Sequence, residues 1–507
     1  MTRNKQLFIN LFASFVAYAV NFFISFFLSP YIVENVGVDA YGFIGLANNF
    51  IGYASLITIA VNALSGRFIT VKIYEKDSEG ANRYFSSVFT ANIILSSIMF
   101  AIFVILLVFL EHIINIPSNI FWDVKLLFAL LFLNCILSTL GSIFNIATFA
   151  TNKLYLSSIR NIESHLLKAI IIIPLFVVLT PKVSYLGVTS LICGIYNIIF
   201  NIYYTKKFLP QLKINHKNFD FKAIIELVSS GVWNLINRVG QLLLDGLDLL
   251  ITNLFINPAA MGILSLSKTV PSIITSIVGS MVGVFSPNFT ILYAEKKTDE
   301  LLASVKQSMK IMGVIANLPI IVLIVCGDLF FSLWQPTQDA TQLHILSILT
   351  CAGLIFNGGI NCIYNIFTVV NKLKLNSLAV CLTGVISTIT VFILLNTTNL
   401  GIYAVAGVST TIATIRNLIF TVPYGAYCLG QKWYTFYPNV IRPVVFVALS
   451  SVLCYFIKSL FQFNNWFSLF LLACLTVFVS LALGALLILN KSDREIIKNV
   501  LFKRRKK

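Results

Sequence analysis

The sequence predicts an all-α polytopic membrane protein with about fourteen transmembrane helices, and three observations lead to that fold class. Of the 507 residues, 58% are hydrophobic and only 11% are charged, whereas about 25% of the residues in an ordinary soluble domain are charged. Apolar stretches long enough to cross about 30 Å of hydrocarbon recur along the whole chain. Short polar connections separate them, so we expect one membrane domain.

The first predicted span follows Arg3 and Lys5. It is too long for the apolar region of a signal peptide and lacks a small-residue cleavage pattern, so we expect it to be retained. The predicted spans are residues 7–29, 43–65, 85–110, 124–150, 166–181, 185–205, 233–256, 261–290, 311–334, 343–370, 377–396, 402–428, 440–461 and 466–490.

Basic residues are distributed unevenly between the connections. Assigning alternate connections to the cytoplasm collects most of the 36 Lys and Arg there, which is the bias typical of cytoplasmic loops. Outward connections instead hold Glu34, Asp39, Glu111 and Asp339. An even number of spans then predicts that both termini are cytoplasmic. The net charge of +17 follows from this bias, and we expect no nucleic-acid partner.

The chain also contains an internal repeat at an offset near 220 residues. Gly42 falls on Gly262, and Glu75-Lys76 falls on Glu295-Lys296. The repeat holds six spans, an even number, so the sequence predicts two six-helix bundles related by a pseudo-two-fold axis along the membrane normal. Further matching pairs are Asn145 and Asn365, Thr148 and Thr368, Asn152 and Asn371 with a shift of one, and Asn197 and Asn417.

These patterns divide the chain into five predicted parts. They are an N-terminal six-helix bundle at 1–205, a cytoplasmic linker with the entrance to span seven at 206–232, a C-terminal six-helix bundle at 233–430, spans thirteen and fourteen at 431–490, and a basic cytoplasmic tail at 491–507.

Local motifs add a family resemblance to this architecture. Pro30-Tyr31-Ile32 leads into a Gly-Val-Asp-Ala-Tyr-Gly sequence at 37–42, the sequence at 63–68 closes span two, and Asp248 is followed by Gly262 in the hairpin of spans seven and eight. With six plus six plus two spans, the chain resembles the polysaccharide-transporter (Wzx-type flippase) family of the MATE-like superfamily.

The resemblance implies two bundles that form a V around a central cavity, with access alternating between the two sides of the bacterial cytoplasmic membrane. It implies a substrate, an undecaprenyl-diphosphate-linked oligosaccharide flipped outward for O-antigen, capsule or a similar surface polymer. Membrane lipids and polysaccharide-assembly proteins are the partners expected from it, and neither a metal nor a nucleotide is implied.

The sequence offers little for enzymatic chemistry. The phosphate-binding pattern G-x-x-x-x-G-K-S/T is absent, so nucleotide hydrolysis is not expected. The four histidines are widely spaced and the nine cysteines stand singly in apolar stretches, which predicts no metal, disulfide or redox site. We therefore expect a transporter without catalytic residues or a cofactor.

Ionisable side chains inside membrane spans are functional candidates because burying charge there is costly. Span seven carries a polar residue every three or four positions, which on a regular helix fall within an arc of about 80°. This stripe is predicted to face a cavity, with Asn234, Arg238 and Gln241 binding substrate. Asp245 and Asp248 are predicted either to hold Arg238 or to bind a coupling Na⁺ or H⁺. The six members of the stripe are Asn234, Arg238, Gln241, Asp245, Asp248 and Thr252.

Three further bases lie at or within spans: Lys268 in span eight, Arg416 in span twelve and Arg67 at the cytoplasmic end of span two. Cations and hydroxyls suit phosphate, so these bases are predicted to contact the substrate's diphosphate. For Arg67 and Arg238 the alternative is snorkelling to the interface. Arg416 occupies the repeat position of Tyr196, so the second half has a charge that the first lacks.

Span five contains Pro174, and Glu163, His165 and Lys168 stand at its entrance. Interrupted spans often border transporter sites, and an ordinary kinked helix is the alternative reading of this span.

Two other functions compete with the flippase. A drug or cation exporter of the same superfamily would use acidic groups such as Asp245 and Asp248 to attract cations. The bases Arg238, Lys268 and Arg416 oppose this function. A membrane-embedded saccharide polymerase or glycosyltransferase would need a sizeable external loop for its catalytic groups, and the predicted outward connections are short.

Overall fold

The computed structural model of the protein describes residues 3–151, 153–215, 218–461 and 463–488. Within these ranges every regular element is a helix, as the composition predicts. A helix satisfies its own backbone hydrogen bonds, which lipid cannot do. The predicted basic tail at 491–507 lies outside the described residues.

The chain divides into two compact units. Unit 1 contains Met1–Leu242 and Gly246–Ser265, and unit 2 contains Leu243–Asp245 and Leu266–Lys507. This division follows packing, whereas the boundaries at 205, 232 and 430 follow the sequence repeat and stay predictions. The three unit 2 residues Leu243–Asp245 fall inside predicted span seven, and the lasting change to unit 2, at Leu266, falls inside predicted span eight.

Eleven α-helices begin in unit 1. They are α1 (Arg3–Val36), α2 (Val38–Tyr74), α3 (Ser78–Val108), α4 (Leu110–Ile113), α5 (Phe121–Gly141), α6 (Ile146–Ala150), α7 (Leu154–Val178), α8 (Ser184–Phe208), α9 (Phe221–Gln241), α10 (Asp248–Phe255) and α11 (Pro258–Ser267). Short 3-10 turns at Ser118–Ile120 and Ser142–Asn145 precede α5 and α6.

The described residues of unit 2 form eleven more α-helices. They are α12 (Thr269–Gly283), α13 (Ser286–Ala294), α14 (Thr298–Ile315), α15 (Leu318–Trp334), α16 (Ala340–Cys351), α17 (Leu354–Val369), α18 (Leu373–Thr397), α19 (Ile402–Arg416), α20 (Val422–Cys428), α21 (Tyr437–Ser459) and α22 (Trp466–Leu487). Two π-helical turns, Leu242–Gly246 and Asn417–Thr421, join α9 to α10 and α19 to α20.

Twelve helical segments of the described residues are long and apolar enough to cross a membrane. They overlap predicted spans two to six and eight to fourteen. The span predicted at 166–181 begins earlier, at Leu154, and ends at Val178, so Lys168, predicted at its entrance, lies well inside it. Predicted span one lies within α1, where Phe22–Val36 forms a shorter apolar helix. Predicted span seven corresponds to α9, the π-helical turn and α10, a segment that is helical but more polar than the others. The protein is thus a multi-pass membrane protein.

Small residues allow a close helix approach in unit 1, between α2 and α11. A Cβ atom added to Gly42 would lie 2.8 Å from the Cα of Gly262, and one added to Gly45 would lie 2.6 Å from the Oγ of Ser265. Small residues are typical of helix contacts in membranes because they let two backbones pack directly.

The repeat is visible in the backbone of two turns between helices as well as in the sequence. Lys76 (φ 60°) and Lys296 (φ 58°) both adopt the left-handed conformation that ends a helix. In each turn the next residue's N–H donates to a carbonyl five positions back: Asp77 to Lys72 and Lys297 to Leu292. The two copies therefore end α2 and α13 in the same way.

The predicted linker is fastened to the start of α3. The side chains of Asn82, Ser86 and Ser87 bond to the backbone of the linker, and both serines are fully buried. The bonds are Asn82 Nδ2 to the Gln211 carbonyl (3.0 Å), Lys213 N–H to Asn82 Oδ1 (2.7 Å), Asn215 N–H to Ser86 Oγ (3.1 Å) and Asp220 N–H to Ser87 Oγ (2.8 Å). They place the start of α9 beside α3.

Candidate functional site

The regular helix predicted for span seven is interrupted. Its π-helical turn, Leu242–Gly246, holds one more residue than an α-turn. This extra residue rotates the helix that follows by about 100° relative to a regular α-helix. Asn234, Arg238 and Asp245 are exposed and Gln241 is half-buried; that they face a cavity stays a prediction.

Beyond this turn the predicted stripe is wrong. Only 3% of Asp248 and 0% of Thr252 is exposed, and the Thr252 hydroxyl donates to the Asp248 carbonyl at 2.8 Å. The two predicted ion-coupling aspartates are therefore in different environments, Asp245 exposed and Asp248 buried.

In unit 1, two side chains of α2 bond to the last carbonyl of the π-helical turn. Asn49 Nδ2 donates to the Gly246 carbonyl at 3.0 Å, and the Tyr53 hydroxyl donates to the same oxygen at 2.6 Å. Side chains that bond to helix carbonyls in this way are a recognised cause of local helix distortion. The start of Asp248's helix is thus set by α2, an element far away in sequence.

In unit 2, a residue of α18 and the residue between α11 and α12 contact the same turn. The Thr388 hydroxyl donates to the Leu243 carbonyl at 2.8 Å, and Lys268 Nζ lies 3.4 Å from the Asp245 carbonyl oxygen. The structure therefore brings together two of the predicted site residues, Lys268 and Asp245. The hydroxyl-bearing Ser272 and Thr275 are exposed on the helix that follows Lys268.

The remaining unit 1 candidates lie on α2 and α9. Asn234 and Arg238 are one turn apart and exposed, whereas Ala223 and Leu227, about two to three turns earlier on the same face of α9, are buried. Arg67 is exposed on α2. Among the described residues, the ion pairs include neither Arg67 nor Arg238. Both guanidinium groups are available to an anion.

Arg416 is the most deeply buried of the predicted bases, with 9% of its surface exposed. Its Nη2 donates to the Tyr364 hydroxyl and to Asn417 Oδ1, both at 2.8 Å, and its Nε donates to Asn417 Oδ1 at 3.2 Å. Nη1 is buried without a hydrogen-bond partner among the described residues. These acceptors are neutral, and no carboxylate in the described part of the chain pairs with Arg416.

Asn417 holds this arrangement together. Its Oδ1 also accepts from the Tyr364 hydroxyl (2.7 Å) and the Thr421 hydroxyl (2.9 Å), and its Nδ2 donates to Asn357 Oδ1 (2.8 Å). Tyr364, Asn357 and Asn417 were not predicted as site residues. The available signal was the recurrence of polar residues in predicted span ten and the Asn197–Asn417 repeat match.

The sequence predicted that the first half has no charge at the repeat position of Arg416. The structure differs, because it places a charged side chain there. Tyr196 lies beside Arg160, with 3.3 Å between the hydroxyl and Nη1. Glu163 neutralises that guanidinium, since its Oε2 is 2.6 Å from Arg160 Nη1 and also accepts from the Tyr196 hydroxyl. Arg160 was missed because it is 36 residues from Tyr196 and its helix gives no sign of which helix it packs against. The surviving difference is that Arg160 is paired and Arg416 is not.

A bundle of membrane-crossing helices with polar and cationic groups inside its spans is characteristic of a membrane transporter. The chain belongs to the polysaccharide biosynthesis protein family, whose model matches residues 7–293. The family resemblance predicted from the sequence is thereby confirmed. The uncharacterized membrane protein EpsK of Bacillus subtilis (strain 168) is 25% identical over 489 residues, which cover 96% of this chain and 97% of that protein.

Two solved structures show the fold. The lipid II flippase MurJ, in an inward closed conformation, superposes with a TM-score of 0.69 at 14% identity, covering 97% of this chain and 100% of that chain. An inward-facing multidrug resistance MATE family transporter of the MOP superfamily gives a TM-score of 0.62 at 14% identity, covering 82% of this chain and 94% of that chain. The fold is therefore that of the MATE-like superfamily.

Proposed function

We propose that the protein is a flippase, a secondary transporter that moves an undecaprenyl-diphosphate-linked oligosaccharide across the bacterial cytoplasmic membrane by alternating access. Membership of a polysaccharide biosynthesis family and a fold shared with the lipid II flippase MurJ support a lipid-linked saccharide as the substrate. The observation that carries the proposal is the unpaired, buried guanidinium of Arg416.

A buried cation without an anionic partner is costly to a folded protein. Arg416 has only neutral partners and one amino group without any, so an anionic ligand would lower that cost. A diphosphate that leaves water needs the same compensation from cations and donors. Arginine suits phosphate because its planar group stays charged and can make two parallel bonds.

In this mechanism the other candidates have secondary roles. Arg238, Lys268 and Arg67 would supply further cations, while Asn234 and Gln241 would bond to saccharide hydroxyls. Exposed Asp245 is the better placed of the two aspartates to bind Na⁺ or H⁺, because Asp248 is almost fully buried. We propose no catalytic residue and no cofactor, a location in the cytoplasmic membrane with both termini inside, and polysaccharide-assembly proteins as partners.

A cation exporter is the second candidate function. The protein shares its fold with a multidrug MATE transporter, and Asp245 is an exposed acid in a membrane segment. The unpaired Arg416 opposes it, because a buried positive charge repels a cationic substrate.

The test is a flipping assay in proteoliposomes with a fluorescent undecaprenyl-diphosphate saccharide. Arg416→Ala should reduce the rate about ten-fold or more, since bonds to charged groups contribute about 1.5–3 kcal/mol, and Arg416→Lys should restore part of it. Arg442→Ala is the matched control, because Arg442 is exposed on α21, and it should flip normally. Normal flipping by Arg416→Ala would refute the role of Arg416. A wild-type protein that moves a cationic dye but no lipid-linked saccharide would favour the exporter.

A further inference from the structure

Lys168 lies near the middle of a membrane span. Helix α7 runs from Leu154 to Val178, so Lys168 is about 21 Å from the start and about 15 Å from the end at 1.5 Å per residue. A lysine close to a helix end can snorkel to water, but one at this depth cannot easily do so. Ionisable residues at such depths are rare and usually functional.

The lysine faces the inside of unit 1. The lipid-facing side of α7 is marked by four exposed apolar side chains. Lys168 belongs to a different row, in which Ser164 and Ile172 stand one turn on either side and are both buried. The exposed side chains are Leu166, Ile170, Ile173 and Val177.

Two helices border this inner face. On one side α8 approaches Ser164: Asn197 Nδ2 lies 3.3 Å from the Ser164 Oγ, and the Cys193 thiol donates to the Ser164 carbonyl at 3.2 Å. On the other side Tyr31 of α1 bonds to the Phe176 carbonyl at 3.1 Å. Lys168 lies between these two contacts along the helix.

The ammonium group has no counter-ion among the described residues. The acid closest to it along α7 is Glu163, which is already paired with Arg160 and bonded to Tyr196. No hydrogen bond or ion pair in the described part of the chain involves Lys168 Nζ. Lys168 is half-buried, so a ligand can reach it.

Ser164 adds a hydroxyl donor to this cation. Its Oγ accepts from Asn197, which leaves the hydroxyl hydrogen for another acceptor. Residues four apart on a helix have Cβ atoms about 5–6 Å apart, so one phosphate can contact both Ser164 and Lys168. A compact ammonium is a common phosphate ligand.

We propose that Lys168 and Ser164 form a phosphate-binding site inside unit 1, separate from Arg416 in unit 2. That this phosphate is the diphosphate of the transported substrate rests on the proposed function. That unit 1 binds a phosphate group does not depend on the proposed function, because a phospholipid headgroup offers the same chemistry.

The test compares the purified full-length protein with Lys168→Met, Lys168→Arg and the control Lys222→Met, whose lysine is exposed at the start of α9. Binding of undecaprenyl diphosphate and of phosphatidylglycerol is measured separately by native mass spectrometry. Lys168→Met should weaken undecaprenyl diphosphate binding about ten-fold, whereas Lys168→Arg and Lys222→Met should stay within about two-fold.

Thermal unfolding without ligand separates a binding role from a structural one. Removing an unpaired buried cation should leave the melting temperature of Lys168→Met equal or higher, whereas loss of a structural residue would lower it. Unchanged binding of both lipids by Lys168→Met would overturn the site while leaving the flippase proposal intact. If the wild type binds no diphosphate lipid and Lys168→Met loses only phosphatidylglycerol, the substrate assignment fails and the phosphate site is a headgroup site.

Discussion

Gly42 and Gly262, which occupy equivalent positions of the internal repeat, contact each other in unit 1. A Cβ atom on Gly42 would lie 2.8 Å from Gly262 Cα, and one on Gly262 would lie 2.1 Å from the Val38 carbonyl oxygen. Gly45 and Ser265, also 220 positions apart, form the next contact. Both copies of the repeat thus supply their small residues to one helix crossing.

The first prediction concerns this crossing. Gly42→Ala and Gly262→Ala should destabilise the protein by about 1–3 kcal/mol, because the added methyl group meets backbone that must move. Thermal unfolding in detergent measures the effect. Gly52→Ala is the control, since nothing lies within 4 Å of its Cβ position on the same helix, and it should be neutral or slightly stabilising. Equal melting temperatures for all three variants would contradict the close approach.

The second prediction isolates the charge of Arg416 from its packing. Asn417→Asp keeps the shape of the side chain that Arg416 already bonds to but makes it anionic. The variant loses the bond from Asn417 Nδ2 to Asn357 Oδ1 but gives the guanidinium a counter-ion. It should therefore still fold, and it should flip the lipid-linked saccharide much more slowly. Asn417→Ala, which removes the bonds without adding charge, is the comparison. A fully active Asn417→Asp variant would show that a positive Arg416 is not required.

The third prediction is the topology. Lys213 is exposed in the linker, and Thr337 is exposed beside Asp339. Cys474, the exposed native cysteine, is first replaced by serine. An impermeant maleimide added to intact cells should then label Thr337→Cys and not Lys213→Cys. The distribution of basic residues indicates this orientation. Substituting Thr337 rather than Asp339 keeps the bonds from Thr341 N–H and Gln342 N–H to the Asp339 carboxylate. Outside labelling of Lys213→Cys would reverse the orientation.

The fourth prediction is a pH dependence at the start of α3. A backbone bond from Gly80 N–H, and then the Lys72 ammonium, hold the pKa of Asp77 below its ordinary value of 3.8. A lowered pKa in the folded state means that the carboxylate stabilises the fold above pH 3.8 and that this contribution is lost as the pH falls further. Asp77→Asn should therefore melt below the wild type at pH 7, and the difference should shrink below pH 3.8. A constant difference would refute the role of the charge.

The fifth prediction concerns the attachment of α21. Lys458 Nζ donates to both carboxylate oxygens of Asp328 (2.6 and 2.8 Å) and to the Val325 carbonyl (2.9 Å). Lys458→Met and Asp328→Asn should each lower stability, and a double-mutant cycle should give a coupling energy of about 0.5–3 kcal/mol. Additive effects of the two substitutions would show that the pair contributes nothing of its own.

The sequence predicted the helices better than the contacts between them. Hydrophobic runs locate the spans because each backbone must form its own hydrogen bonds in lipid. The repeat likewise predicted the matching turns at Lys76 and Lys296. The π-helical turn at Leu242–Gly246 could not be predicted, because it is bonded by Tyr53, which is 193 residues away in the sequence. The pairing of Arg160 with Glu163 and Tyr196 likewise depends on how α7 packs against α8.

The turn at Leu242–Gly246 is equivalent to a one-residue insertion that span seven has absorbed without ending the helix. A single deletion there would restore an ordinary α-helix, and it would rotate Asp248 and Thr252 by about 100° out of their buried positions. Natural loss of one amino acid at this point would therefore change how many carboxylates the membrane segment exposes. In such homologues Asp248 would join Asp245 on the exposed stripe without either being mutated.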